Sequence, residues 1–242
     1  MKKIFLLLIF WASVGFLYAQ TTTKTNRPDE NTIVKDDAGN VYQYAIWQKL
    51  LQTGEYAIRS VKVVGEENAT FLLYRMSEEE KAEKKRKKEA YAATLPKPRT
   101  SGVFIDGKKF SFDKMKTLDG LKFDFKKDTG KVVVFNFWFI NCPPCKHEIP
   151  ELNDLAEKYK EHKNVVFVAI ALDDEVALKN FLRFSPFNYN IIPNGRFYAE
   201  KHGVKSYPTH LVVGKDGLIK FSTIGLATNT VFWIDKTISE QL

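Results

Sequence analysis

The chain has two cysteines, and they stand three apart in FWFINCPPCKHEIPE, residues 137–151. An apolar run precedes them and a helix-like pattern follows. A structural staple, part of a metal site and a redox switch are the three kinds of chemistry open to such a pair. Cysteines three apart on a helix share a face. Their Cα atoms would lie about 5 Å apart, inside the span a disulfide tolerates. Cys142 falls where strand gives way to helix, a place with unpaired backbone N–H groups and the positive end of the helix dipole; both favour thiolate over thiol. Pro143 and Pro144 suit a first helical turn, where a missing N–H costs least. They cannot donate to the sulfur, so its nearest donors are the Cys145 N–H and S–H. Cys142 can attack a substrate disulfide, and Cys145 can then attack the mixed disulfide and release the product. Cys142 is expected to be the more exposed, with Cys145 pointing back under the helix. A zinc site wants four ligands; there is no second cysteine pair, and His147, His162, His202 and His210 lack ligand spacing. A structural disulfide usually closes a longer loop. The redox reading is therefore preferred over the structural bridge, and both over metal.

The elements that must position this pair lie C-terminal of residue 101. GVFIDGKKFSF reads as a hairpin around Asp106-Gly107, and LKFDF as a strand. Lys131 to Ile140 is almost wholly apolar, as suits a strand buried on both faces. A helix is expected from about Pro143 to Lys160. Strands and helices then alternate: NVVFVAIAL, DEVALKNFLRF, FNYNII, RFYAEKHGV, THLVVG, LIKFSTIG and TNTVFWIDKTISEQL, with LVVGKDGLIKFS as a hairpin. Such alternation argues for a layered α/β sheet. Asp173 and Asp174 read as a helix cap.

Upstream, TIVKDDAGNVYQY carries a turn at Asp37-Ala38-Gly39-Asn40, and AIWQKLLQTG reads as a short helix ending at Gly54. YAIRSVKVV and ATFLLYRM read as strands joined through Gly65 to Asn68; Asn68-Ala69-Thr70 fits a sequon but is read as turn. Residues 20–76 thus form a small α+β region, too small to stand alone without packing on something. Residues 77–95 form a charged helix with a Ser77/Glu80 capping box, Tyr91 and Leu95 as its apolar contacts, and a solvated spacer face. Pro96-Lys97-Pro98 ends it. The expected division is 1–19, 20–76, 77–100 for helix and linker, and 101–242.

The first 19 residues read as a signal peptide: Lys2 and Lys3, an apolar run from Ile4 to Phe16, and Ala19 before the cleavage point. The run is shorter than the ~20 residues of a spanning helix, so cleavage is preferred over a retained anchor. An exported, periplasmic location follows, where disulfides persist. The net charge of +8 falls to +6 without Lys2 and Lys3. For an exported chain this reads as solubility rather than nucleic-acid binding.

GKVVVFNFWFINCPPCKHEIPELNDLAEKYK resembles the active-site strand and helix of exported TlpA/ResA-type thiol–disulfide oxidoreductases. SYPTHLVVGKDGLIK resembles the same family's cis-proline strand, and the likeness covers about residues 101–242. It implies a thioredoxin fold: a central mixed sheet flanked by helices, with an αβ insertion at residues 171–195. It implies Cys142 as nucleophile, Cys145 as resolving cysteine and Pro208 as cis-proline, with Tyr207 offering its backbone to substrate. Glu148 occupies a position where relatives keep a proton-carrying glutamate. Asn136 stands where cytosolic thioredoxins carry a buried acid, and Asn141 departs from the usual Trp. Trp138 and Phe139 read as core and rim; Trp138 is also counted, with Tyr207, Pro143 and Pro144, among candidate substrate contacts. The implied activity is reduction or isomerisation of disulfides in exported proteins, with apocytochromes c as one substrate class, with no cofactor or metal and a thiol electron donor that the family likeness places in the membrane. A binding module with a structural disulfide and a copper-handling protein are the alternatives.

Overall fold

The computed structural model describes residues 28–61, 70–111, 113–126 and 130–242. The export segment, the Gly65–Asn68 turn and most of the sequon lie outside the described residues.

The N-terminal region is a four-stranded sheet in the order β2-β1-β4-β3, built from β1 (Val34–Lys35), β2 (Val41–Tyr42), β3 (Tyr56–Val61) and β4 (Thr70–Arg75). Helix α1 (Tyr44–Gln52) lies between β2 and β3 in the chain and closes on Gly54 at φ 75°, a left-handed turn that glycine adopts without strain. The core of this region is Val34, Trp47, Phe71 and Leu73. Helix α2 (Glu78–Thr94) starts in the expected capping box: the Ser77 hydroxyl accepts from Glu80 N–H, and the Glu80 carboxylate accepts from Ser77 N–H. Tyr91 does not serve as its apolar contact. That side chain is exposed, and Ala92 is the residue the helix buries. Lys81 reaches Glu55 behind it, and Lys88 reaches Glu151 ahead, so α2 is tied at both ends.

A two-stranded ribbon follows, β5 (Lys114–Lys116) paired with β6 (Lys122–Asp124). The main sheet contains β7 (Val132–Trp138), β8 (Val165–Ala171), β9 (Asn190–Ile192), β10 (Thr209–Val213) and β11 (Ile219–Ile224) in the order β11-β10-β7-β8-β9. β7, β8 and β9 run parallel to one another, β10 runs antiparallel to β7, and β11 runs antiparallel to β10. All seven residues of β7 are buried. Alternate side chains serve the two faces. Val132, Val134 and Trp138 meet α3 (Pro143–Lys158), α4 (Glu175–Leu182) and α6 (Thr230–Gln241). Val133, Phe135 and Phe137 meet α5 (Arg196–Lys201) and a layer of phenylalanines from residues 104–125. The two apolar faces are what make a continuous apolar run a central strand.

The segment around Asp106-Gly107 is not a self-paired hairpin. Its turn exists, with Gly107 at φ 79°, but Gly107 and Phe110 N–H groups donate to Ile219 and Gly217, and Lys109 bridges to Leu218. The segment spends its backbone groups on the open edge of β11 rather than on itself.

Candidate active site

The end of β7 runs into a tight loop that α3 begins. Ile140 N–H donates to the Asp173 carboxyl at 2.7 Å, and Cys142 N–H donates to the Phe139 carbonyl at 3.2 Å. Cys142 is the N-cap of α3, with Pro143 and Pro144 in the first turn. Its sulfur accepts from the Cys145 N–H at 3.3 Å. The two cysteines are joined in a disulfide, with Cα atoms 5.3 Å apart. The expected difference in exposure is absent: Cys142 is 3% exposed and Cys145 2%. Held by the Cys145 amide, Cys142 Sγ folds over the helix start instead of projecting from it.

Pro208 is buried immediately before β10, and the Tyr207–Pro208 peptide bond is cis. Thr209 pairs with Phe137 across β10 and β7, which brings Pro208 level with the end of the strand that leads to Cys142. Tyr207 packs edge-on against Phe139, with ring centroids 5.4 Å apart. Among the described residues its amide and carbonyl take part in no backbone hydrogen bond. Pro143 is exposed and Pro144 half-buried, so both can border an incoming chain.

Trp138 is not on that surface. It is 0% exposed, with its indole set against Phe181 and Phe187 in the core, and it cannot touch a substrate. Asp174 caps α4 through the Ala177 N–H, but Asp173 does not; its carboxyl holds the cysteine loop.

Glu148 is buried, 4% exposed, one turn beyond Cys145 on the same face of α3. Its carboxylate Oε1 lies 2.8 Å from His210 Nε2 and accepts from Asn136 Nδ2 at 3.2 Å. Asn136 and His210 are paired across β7 and β10, and Asn136 Nδ2 is also 3.2 Å from His210 Nδ1. His210 was missed from sequence, where the histidines look scattered. Its only local signal is a polar residue inside an apolar strand, two beyond Pro208. Among the described residues, no group of three or more His, Cys, Asp or Glu is arranged to hold a metal.

A redox-ready cysteine pair capping the helix that follows a doubly buried strand, faced by a cis-proline strand start, defines the class: this is a thioredoxin-fold thiol–disulfide oxidoreductase. The model of the AhpC/TSA family matches residues 107–222. ResA, a thiol–disulfide oxidoreductase from Bacillus thuringiensis (strain Al Hakam), is 34% identical over 135 residues, covering 52% of this chain and 78% of that protein. The chain belongs to the ResA family of thiol–disulfide oxidoreductases. The ResA of Halalkalibacterium halodurans is 27% identical over 119 residues, covering 48% of this chain and 68% of that one. Two solved structures share the fold. One is a Chlorobium tepidum chain described as a thiol:disulfide interchange protein DsbE (TM-score 0.51, 24% identity, 57% of this chain and 98% of that one). The other is a Bacteroides thetaiotaomicron chain described as a protein disulfide isomerase (TM-score 0.53, 18% identity, 60% and 94%).

Proposed function

We propose that the protein is exported and acts as a reductase or isomerase of disulfides in other exported proteins, through a cycle at Cys142 and Cys145. The observation that carries the direction is the single backbone N–H on Cys142 Sγ. Strong oxidants stabilise their reduced, thiolate form heavily; here Pro143 and Pro144 withhold two donors, and one amide remains. Cys142 thiolate attacks a substrate disulfide, and one substrate sulfur leaves. Cys145 gives its proton to Glu148, attacks Cys142 Sγ and releases the second substrate sulfur. The two electrons of the dithiol reduce the substrate, and the protein leaves as the disulfide.

The free amide and carbonyl of Tyr207, held at the mouth of the site by cis-Pro208, pair with the substrate backbone. Pro143 and Pro144 border it. Apocytochromes c are one class of exported substrate that fits. A thiol donor, placed in the membrane by the family likeness, restores the dithiol. Export rests on the sequence pattern of residues 1–19, with cleavage after Ala19.

Cys145→Ser, which keeps the nucleophile and removes the resolving thiol, should accumulate a mixed disulfide with an oxidised protein substrate, and Cys142→Ser should not. Trapping by Cys142→Ser alone would reverse the two roles. Equilibration of the wild-type pair in thiol buffers should give a potential near or below thioredoxin's roughly −270 mV; a value near DsbA's roughly −120 mV would make the protein an oxidant.

A further inference from the structure

Asn136, Glu148 and His210 come from three elements and meet in the core beneath the disulfide, with His210 0% exposed and Asn136 1%. Burying a carboxyl or an imidazole is costly unless it is paired. Here each is the other's closest partner, Nε2 to Oε1 at 2.8 Å. The couple is electrically neutral when it carries one proton, whichever group holds it. A lone acid at position 148 would not need a histidine two residues past the cis-proline; this chain has one.

We propose that His210 is a positioning residue for thiol–disulfide exchange. It acts through Glu148, fixing the carboxyl and sharing a proton with it, so that the couple rather than a lone acid takes the Cys145 proton. This rests on the reading of Glu148 as that proton's acceptor. Oε1 is engaged by His210 and Asn136, whereas Oε2 is buried and has no hydrogen-bond partner among the described residues. Oε2 is therefore the atom left to receive a proton, and Glu148 stands on the helix face that carries Cys145.

A cavity of about 120 Å³ is lined by Glu148, His147, Glu151, Lys88 of α2 and Thr230, among others. That is room for water, and hence a route for the proton. The titratable groups around the couple are Cys145, His147 and Glu151 on α3, Lys88 on α2, and Tyr189 just before β9. The Tyr189 phenol stays protonated, since burial and then the Glu148 charge hold it well above its ordinary value. From β11 the residue paired with His210 is Thr223, which does not titrate.

The step balances simply. The Cys145 S–H bond breaks, its proton goes to Glu148 Oε2, and the sulfur's electron pair forms the bond to Cys142 Sγ. The Cys142–substrate bond breaks, and the substrate sulfur leaves as thiolate. The proton then returns to solvent through the cavity.

The test uses the full-length reduced protein and glutathione disulfide, following release of the second glutathione as a function of pH. Glu148→Gln should slow this step by about 100-fold near neutral pH and His210→Asn by about ten-fold, both with an altered pH profile. The double variant should be no slower than Glu148→Gln alone, because the two act as one unit. If Glu148→Gln alters the profile while His210→Asn keeps the wild-type one, the role of His210 is overturned and that of Glu148 survives. If Glu148→Gln leaves the profile unchanged, the proton-acceptor reading fails, and the proposal with it. Should His210→Asn not fold, imidazole nitrogen shifts of the wild type decide, the chain having four histidines to assign. The His210 signals should differ between disulfide and dithiol forms across the pH range; identical signals in both would overturn the proposal.

Discussion

The Asp173 carboxyl ties the loop before the cysteines to the far end of β8, through Ile140 N–H at 2.7 Å. Its own carbonyl accepts from Asn194, so both its backbone and side chain are committed. Hydrogen bonds to carboxyl groups contribute about 1.5–3 kcal/mol. Asp173→Ala should cost that much in denaturant unfolding and speed reduction of the disulfide by dithiothreitol, since the loop that leads into Cys142 is released. Asp173→Asn, which keeps an acceptor oxygen, should recover most of both; equal losses in the two variants would show that the bond to Ile140 is not what matters. The pair Asp173-Asp174 looked like one cap because a cap is a local pattern, and Asp174 does form it. The bond from Asp173 to Ile140 spans 33 residues and leaves no local trace. The same distinction separates Cys142, Cys145 and Pro208, legible from short spacing and family likeness, from His210, whose meaning comes from its register opposite Asn136 on a distant strand.

At the scale of elements, β7, α3 and the β10–β11 hairpin were legible because their hydrophobic period and turn residues agree with their tertiary roles. The segment from 101 to 111 was not. Its alternation and Asp-Gly turn are those of a hairpin, but the edge of β11 competes for the same backbone groups and wins. The reward is a phenylalanine layer, in which His202 at the end of α5 stacks on Phe110 with centroids 4.9 Å apart and lies 3.2 Å from the Asp113 carboxyl. Burial lowers the affinity of this imidazole for a proton below its ordinary value near 6.5, against the opposing pull of Asp113. The unfolded chain therefore binds a proton at His202 that the native state binds less readily. Its contribution to stability is present above about pH 6.5 and is lost as pH falls through and below that value. Urea unfolding of the wild type between pH 7.5 and 5 should thus show a steeper loss than that of His202→Gln. A steeper loss in the variant would mean that Asp113 holds the histidine charged.

At the scale of the whole molecule, the question is where the redox domain begins. A boundary at the Pro96-Lys97-Pro98 linker, with the domain starting at 101, treats the linker as a spacer. The hydrogen bonds argue for an earlier start. The Pro96 carbonyl accepts from the buried Asn229 side chain at 2.9 Å, and the Arg99 carbonyl accepts from both Ile224 N–H and the Thr223 hydroxyl. The Ser101 hydroxyl accepts from Phe104 N–H, and the Lys97 ammonium lies over the Phe221 and Trp233 rings at 5.4 and 5.7 Å. Residues 96–101 thus seal the outer edge of β11 and the start of α6. Each of these hydrogen bonds contributes about 0.5–1.5 kcal/mol net, and leaving Asn229 or Thr223 unpaired costs more than the bond itself. A fragment of residues 96–242 should unfold in one cooperative transition and keep the full chain's cysteine potential, because the strands, α3 and the cis-proline are all within it. A fragment of residues 102–242 should be less stable by about 2–6 kcal/mol, summing those losses, with the potential little changed. Equal stability of the two fragments would return residues 96–101 to the linker. A shift of the potential in fragment 96–242 would show instead that α2, through Lys88 and the cavity it helps to line beside Glu148, reaches the chemistry.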